Sequence, residues 1–251
     1  MFLNSINITK ESLVSDIVSS DYRTADVLRK YGIEYCCGGK WPLEMACKGR
    51  GLDTEIIMEE LNRSVRNITI SNSIDFSKWD IDFLIDYIIN VHHEYIRIAA
   101  PQLVDQFQHF ANDHQKKFPY LTEMERLINH LVKQLQPHLQ QEEEIIFPYI
   151  KQIAHAFEHK ESYAGLFVRT LRKPVESIME HEHENIAKNL LRLRELSNNY
   201  TPPDTACISH KTAFLKLKEF DTDLVQHMHL ENDILFPKGI KMEKDLLQKK
   251  D

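Results

Sequence analysis

The chain has 251 residues, 42% of them hydrophobic and 27% charged, with only 7 glycines and 9 prolines. That length holds one or two ordinary domains, and the scarcity of Gly and Pro points to helices joined by short connections. A formal charge of −7 and a pI near 6.0 argue against a nucleic-acid binder, which normally shows a basic face, so no nucleic-acid partner is expected.

The N-terminal stretch "MFLNSINITKES" lacks the basic and then apolar segments of a secretory signal. No apolar run approaches the ~20 residues of a membrane span; the longest candidate, "IDFLIDYIINV", is cut by Asp82 and Asp86. Without a signal, Cys36, Cys37, Cys47 and Cys207 read as thiols of a reducing compartment rather than a disulfide framework. A cytoplasmic protein with no membrane partner is the expectation.

In chain order, the first helical pattern covers 12–31, with Leu13, Ile17, Ala25, Val27 and Leu28 as its apolar positions and Tyr31-Gly32 as its stop. The block "EYCCGGKWPLEMACKGRG" follows, and then a second helix, "DTEIIMEELNRSV", with Asp53 as N-cap. Residues 1–66 read as a small helical domain, and the polar stretch 67–79 as a linker. Beyond it lie four long helical segments, 80–108, 121–153, 165–197 and 208–236, with "PQ", "FPYLT" and "SNNYTPPDTAC" as breaks. None shows sustained period-2 alternation. The fold class predicted is all-α, with an up-down four-helix bundle over 80–240.

Each bundle helix carries ionisable residues on its apolar stripe. The second reads Leu131, Leu135, His138, Glu142, Ile145, Tyr149, and the fourth reads Leu217, Phe220, Leu224, His227, Glu231, Ile234. The third reads Met179, His183, Ile186, Leu190 and leaves His181 off the face. The first reads Ile85, Ile89, His93, Ile96, Ala100, Leu103, although His92 fits a slightly rotated stripe almost as well. His93, His138, His183 and His227 follow one another at 45, 45 and 44 residues. In an up-down bundle, near-equal intervals bring residues to one level of the core.

Two carboxylates on core stripes need a cation. Buried without one, each costs several kcal/mol, and a facing pair costs more. Two metal ions would balance them, with two imidazoles on each ion and the carboxylates bridging. Nitrogen and oxygen donors with no thiolate point to iron or manganese over structural zinc. A single His-x-x-x-Glu is usually an exposed helix pair worth a few tenths of a kcal/mol; here the phrase occurs twice, with two lone His at matching intervals.

These residues resemble a known family. "RKYGIEYCCGG" at 29–39, "LIDYIINVHH" at 84–93, "HLQQEEEIIFP" at 138–148, "MEHEHE" at 179–184, "NNYTPPDTAC" at 198–207 and "HMHLENDILFP" at 227–237 are similar to the bacterial iron-sulfur cluster repair proteins of the YtfE/ScdA type. The likeness covers nearly the whole chain. It implies a short N-terminal cysteine domain and a hemerythrin-like bundle holding two iron ions per chain, carboxylate-bridged and with room for an oxo bridge. Carried over, the iron ligands fall on His93, His138, His183 and His227 and the bridging carboxylates on Glu142 and Glu231, which selects His93 over His92. Oxygen-carrying hemerythrins place a second His one turn from the first on the third helix; here those positions are Met179 and Ala187. Each iron would keep an open position, which favours reactivity or iron release over oxygen storage. Glu143, Glu182 and Glu184 lie beside ligands, as orienting groups, exit-path groups or solvated faces.

Adjacent Cys36 and Cys37 could bond only through a strained ring, readily reduced. Gly38 and Gly39 would free the backbone and clear space around the thiols. Redox control, transient iron or nitric-oxide ligation, and docking to the bundle are the roles open to Cys36 and Cys37; Cys47 and Cys207 read as structural. The resemblance implies repair of iron-sulfur clusters damaged by oxidative or nitrosative stress, by donation of iron, with damaged iron-sulfur proteins as partners. Alternatives are a di-iron reductase of nitric oxide or peroxide, and an O2 or NO sensor. A homodimer is compatible with a small helical chain.

Overall fold

The computed structural model describes residues 8–36, 39–65, 74–161, 168 and 175–248, and for 175–181 the backbone alone. Cys37 lies outside the described residues, as do 67–73 of the expected linker and most of 165–174 in the expected third helix. Two compact units are present: Met1–Asn72 with Ser197–Lys218, and Ser73–Leu196 with Glu219–Asp251. Among the described residues there is no strand, only an isolated bridge between Leu13 and Pro42.

The first unit contains α1 (Val14–Ser20), α2 (Thr24–Lys30), α3 (Leu43–Lys48) and α4 (Thr54–Ser64). Periodicity suggested one helix over 12–31, but the chain breaks at Asp21. There the Asp21 carboxylate accepts from the backbone N–H of Arg23 at 3.0 Å and from its guanidinium, and the Thr24 hydroxyl donates to the Asp21 carbonyl. These bonds offer the backbone an alternative to the helical ladder. The stop is as expected: Gly32 has φ +65, and Ile33 N–H donates to Leu28 O at 2.8 Å, a left-handed C-terminal cap. Asp53 caps α4 by accepting from Glu55 N–H. Helix α3, inside the cysteine block, carries too few residues to show a period. Ile17, Leu28, Leu43, Ile57 and Leu61 form the core of this unit. Gly39 serves by size and not by a left-handed φ: a Cβ there would lie 2.3 Å from the Tyr35 carbonyl oxygen.

Next come α5 (Ile81–Tyr87), α6 (Glu94–His114), α7 (Tyr120–Gln141), α8 (Phe147–Glu158), α9 (Val175–Leu196), α10 (Ile208–His229) and α11 (Phe236–Gln248). α6 packs on α7, α7 on α9, α5 on α8, and α8 on α11, as in the expected bundle. Pro101, read as part of a break, lies inside α6. An interior proline costs ~3 kcal/mol. The helix also buries Ile96, Leu103, Phe107 and Phe110, each worth roughly 1.5–3 kcal/mol, so it continues.

Among the described residues, wide π turns interrupt the helices at three places: Ile88–His93 between α5 and α6, Glu142–Ile146 between α7 and α8, and Leu230–Leu235 between α10 and α11. Each inserts a residue into the ladder and resets which residues face inward. Hence Ile145, assigned to the core stripe, is 41% exposed, and Ile146 is buried in its place. Likewise Leu235 takes the inner position expected of Ile234, which is only partly buried.

Candidate metal centre

The three π turns coincide with the ionisable stripe residues. His93 closes the first, Glu142 opens the second, and Glu231 sits second in the third. His138 and His227 each lie one turn before a Glu. His183 is carried by α9. All six side chains are buried, Glu142 and Glu231 completely.

Their donor atoms form two groups of four: His93, Glu142, His227 and Glu231, and His138, Glu142, His183 and Glu231. Within each group the atoms lie within 4.8 Å of one another, and both carboxylates belong to both groups. His93 Nε2 is 3.1 Å from His227 Nε2, and His183 Nε2 is 3.1 Å from His138 Nε2. The imidazoles also face the carboxylates: His227 Nε2 to Glu231 Oε1 at 3.0 Å, His138 Nε2 to Glu142 Oε1 at 3.3 Å, and His93 Nε2 to Glu142 Oε2 at 3.4 Å.

The outer nitrogens of three rings are held. His93 Nδ1 is 2.6 Å from Glu143 Oε1, and Glu143 is itself paired with Arg97. His138 Nδ1 is 2.6 Å from Glu182 Oε2, and His183 Nδ1 is 2.8 Å from Asn232 Oδ1. An acceptor on Nδ1 places the proton there and leaves the Nε2 lone pair facing inward, the arrangement that metal-ligating His commonly adopt. Glu184 plays no such part; it is exposed and pairs with Lys188.

Electrostatics divide the two carboxylates. Burial pushes Glu142 up, but the surrounding imidazoles, His138 foremost, outweigh it and hold Glu142 well below the carboxylate range. Burial together with the Glu142 charge drives Glu231 well above it. Burial also pulls the His227 ring down to about 3. For His183 burial acts in the same sense, but contacts with Glu142 and Glu231 win and raise it to about 9. Like-charged buried groups thus share protons in the absence of a cation.

The residues fit a metal. Both oxygens of Glu142 and Oε2 of Glu231 are buried without a hydrogen-bond partner, a costly state that a cation removes. Imidazole nitrogen and carboxylate oxygen suit a first-row ion such as iron.

Periodicity left His92 and His93 open, and both are buried. Only His93 enters the donor groups; His92 turns to Asp223, 2.9 Å from its Nδ1. Cys36 belongs to the first unit and contributes to neither group. Reading the stripes missed Asn232 and Asp223 altogether. A signal existed: Glu143, Asn232 and Glu182 each adjoin a candidate ligand in sequence, and a helix directs such neighbours roughly 100° away, toward the next helix. A cavity of about 750 Å³ lies against His183, with Val225, Met228, Phe236 and Ile240 among its walls.

Comparison with known proteins gives two family matches. Residues 84–239 match the hemerythrin HHE cation binding domain, and residues 10–65 match the ScdA_N family, described as a domain of unknown function. The iron-sulfur cluster repair protein ScdA of Staphylococcus haemolyticus is 29% identical over 92% of this chain and 99% of its own. YtfE of Escherichia coli O17:K52:H18, an iron-sulfur cluster repair protein, is 30% identical over 93% and 99%. A probable iron-sulfur cluster repair protein of Haemophilus influenzae is 29% identical over 90% and 95%. No helix among the described residues is long and apolar enough to cross a membrane.

Proposed function

We propose that this chain, which belongs to the ScdA/YtfE family of iron-sulfur cluster repair proteins and carries a hemerythrin-type cation-binding domain, restores clusters damaged by oxidative or nitrosative stress by giving up iron held in its bundle. Two iron ions would be the complement: His93 and His227 would hold one, His138 and His183 the other, and Glu142 and Glu231 would be shared. The observation that carries this reading is the pair of four-residue donor groups with both buried carboxylates in common. The cysteine segment 1–66 and the bundle segment 80–240 are its working parts, joined through 67–79.

When bound, the iron would supply an exchangeable ferrous cargo and redox chemistry toward small oxidants. The chain's own residues do the rest. Glu142 and Glu231 would offset the cationic charge, and both oxygens of Glu142 and Oε2 of Glu231 lack hydrogen-bond partners of their own and would be available to the ions. Glu143, Glu182 and Asn232 fix three rings so that Nε2 faces inward. Each group supplies four protein donors, and an ion held there would be open to a small molecule or a receiving thiolate. Cys36 and Cys37 are the thiols proposed to assist transfer.

The test is anaerobic incubation of the iron-loaded protein with an iron-sulfur enzyme inactivated by nitric oxide. Recovery of activity with matching loss of iron from the repair protein is expected. Equal recovery with the metal-free protein, or with free ferrous iron at the same concentration, would overturn the reading. The cavity beside His183 favours a second one, in which nitric oxide, peroxide or O2 reaches the centre and is reduced or sensed there. Sustained consumption of nitric oxide or peroxide without iron loss would favour reduction, and tight reversible binding would favour sensing.

A further inference from the structure

Cys207, which reads as structural in the sequence, has a chemical partner. It immediately precedes α10, and its carbonyl accepts from Lys211 N–H at 3.1 Å, so it occupies the N-cap position. Its sulfur accepts from the backbone N–H groups of His210 and Ser209, and it also hydrogen-bonds the thiol of Cys36. Two further features hold the two segments together within the first unit. Tyr35, next to Cys36, and Ile208, next to Cys207, pack against the same apolar core. Lys216 of α10 pairs with Asp26 of α2. Both thiols are part-exposed, whereas Cys47 is buried.

We propose that Cys36 and Cys207 are a dithiol that peroxide converts to a disulfide. The inference stands on the first unit alone and does not depend on the metal centre. Burial and the neighbouring Cys36 thiol hold the Cys207 thiol above its usual range, against the two N–H donors and the helix N-terminus, so the sulfur reacts as it gives up its proton. The Cys207 sulfur attacks one peroxide oxygen, the O–O bond breaks, and the hydroxide released takes the thiol proton as water. Cys207 is then a sulfenic acid. The Cys36 sulfur displaces its oxygen, which leaves as a second water carrying the Cys36 proton, and the S–S bond forms. Two thiols are oxidised by two electrons and one peroxide is reduced to two waters. A dithiol reductant reverses the bond by exchange. Cys36 and Cys37, adjacent in sequence, could bond only through a strained ring, so Cys207 is the better partner for Cys36.

The test treats the full chain with hydrogen peroxide, blocks remaining thiols by alkylation, and maps peptides without reduction. Expected is a peptide linking Cys36 to Cys207, two hydrogens lighter than the sum of its parts. It should vanish with dithiothreitol and be absent from Cys207→Ser. In Cys36→Ser, Cys207 should be labelled by a dimedone-type sulfenic-acid probe, because the resolving thiol is gone. The proposal is overturned if peroxide leaves Cys207 as alkylatable as before, if the only bond formed joins Cys36 to Cys37, or if Cys36→Ser shows no labelling at Cys207.

Discussion

Glu142 and Glu231 come from different helices, are both without exposure to solvent, and hold donor oxygens within 4.8 Å of one another. Two carboxylates cannot both stay ionised at that distance inside a protein without a cation, and the opposite displacement of their pKa values shows the conflict. A metal-free bundle therefore carries an internal strain that metal relieves.

The first prediction concerns those carboxylates. Glu142→Leu or Glu231→Leu should lose bound iron while the fold survives. Burial and the Glu142 charge hold Glu231 above the carboxylate range, so metal-free Glu231→Leu should melt at or above metal-free wild type. Glu142→Leu leaves the raised His183 without its partner and should melt lower, because removing one member of a buried ion pair typically costs about 3–5 kcal/mol. Iron content and calorimetric Tm measure both. Wild-type iron in both variants would sink the ligand assignment.

Metal affinity should rise with pH. His183 is raised to about 9 and Glu231 is raised as well, so at pH 7 the metal-free pocket holds protons that the ions must displace. Between pH 7 and 9 these leave, and binding should tighten. Proton uptake by the buffer, followed by titration calorimetry in buffers of different ionisation enthalpy, should show proton release at pH 7 that shrinks toward pH 9. A pH-independent affinity would contradict the assigned protonation.

The orienting groups should act selectively. Glu143→Ala should weaken the His93/His227 group, and Glu182→Ala the His138/His183 group, each by about 10–100-fold. Both residues are part-exposed, so stability should change little. Stepwise iron titration should show one strong and one weakened ion in each variant.

The stripes placed His138, Glu142, His183, His227 and Glu231 on inward faces because 3.6-residue periodicity survives from Leu131 to Glu142 and from Leu217 to Glu231, but they left His92 and His93 open. Past each Glu the periodicity misplaced one aliphatic, Ile145 and then Ile234, although Tyr149 is buried as expected. The π turns shift the register by one residue, and an apolar pair such as Ile145-Ile146 gives no sign of which member faces inward. The break at Asp21 depended on a side chain bonding to its local backbone, and α3 was too short for any period. Asp223 was illegible for another reason: it acts across helices, on His92, which sequence places far away, whereas Asn232 adjoins Glu231 and was legible from that neighbour. Cys207 gave no signal at all until its neighbour Cys36 was located.

If the wide turn is the device that places Glu142, removing it should be visible. Deleting the exposed Ile145 restores α spacing from His138 to Tyr149 and keeps the same apolar residues inward. The variant should retain helicity and melt near wild type, yet lose iron. Iron retained at the wild-type level would show that the turn is incidental.

The most direct measurement is elemental analysis of protein purified without oxygen, before and after ferrous reconstitution. The shared-carboxylate centre predicts about two irons per chain, both lost on replacing Glu142 or Glu231. Zinc in their place, or no metal after reconstitution, would mean that the six buried residues are core architecture and that iron repair chemistry does not reside in this bundle.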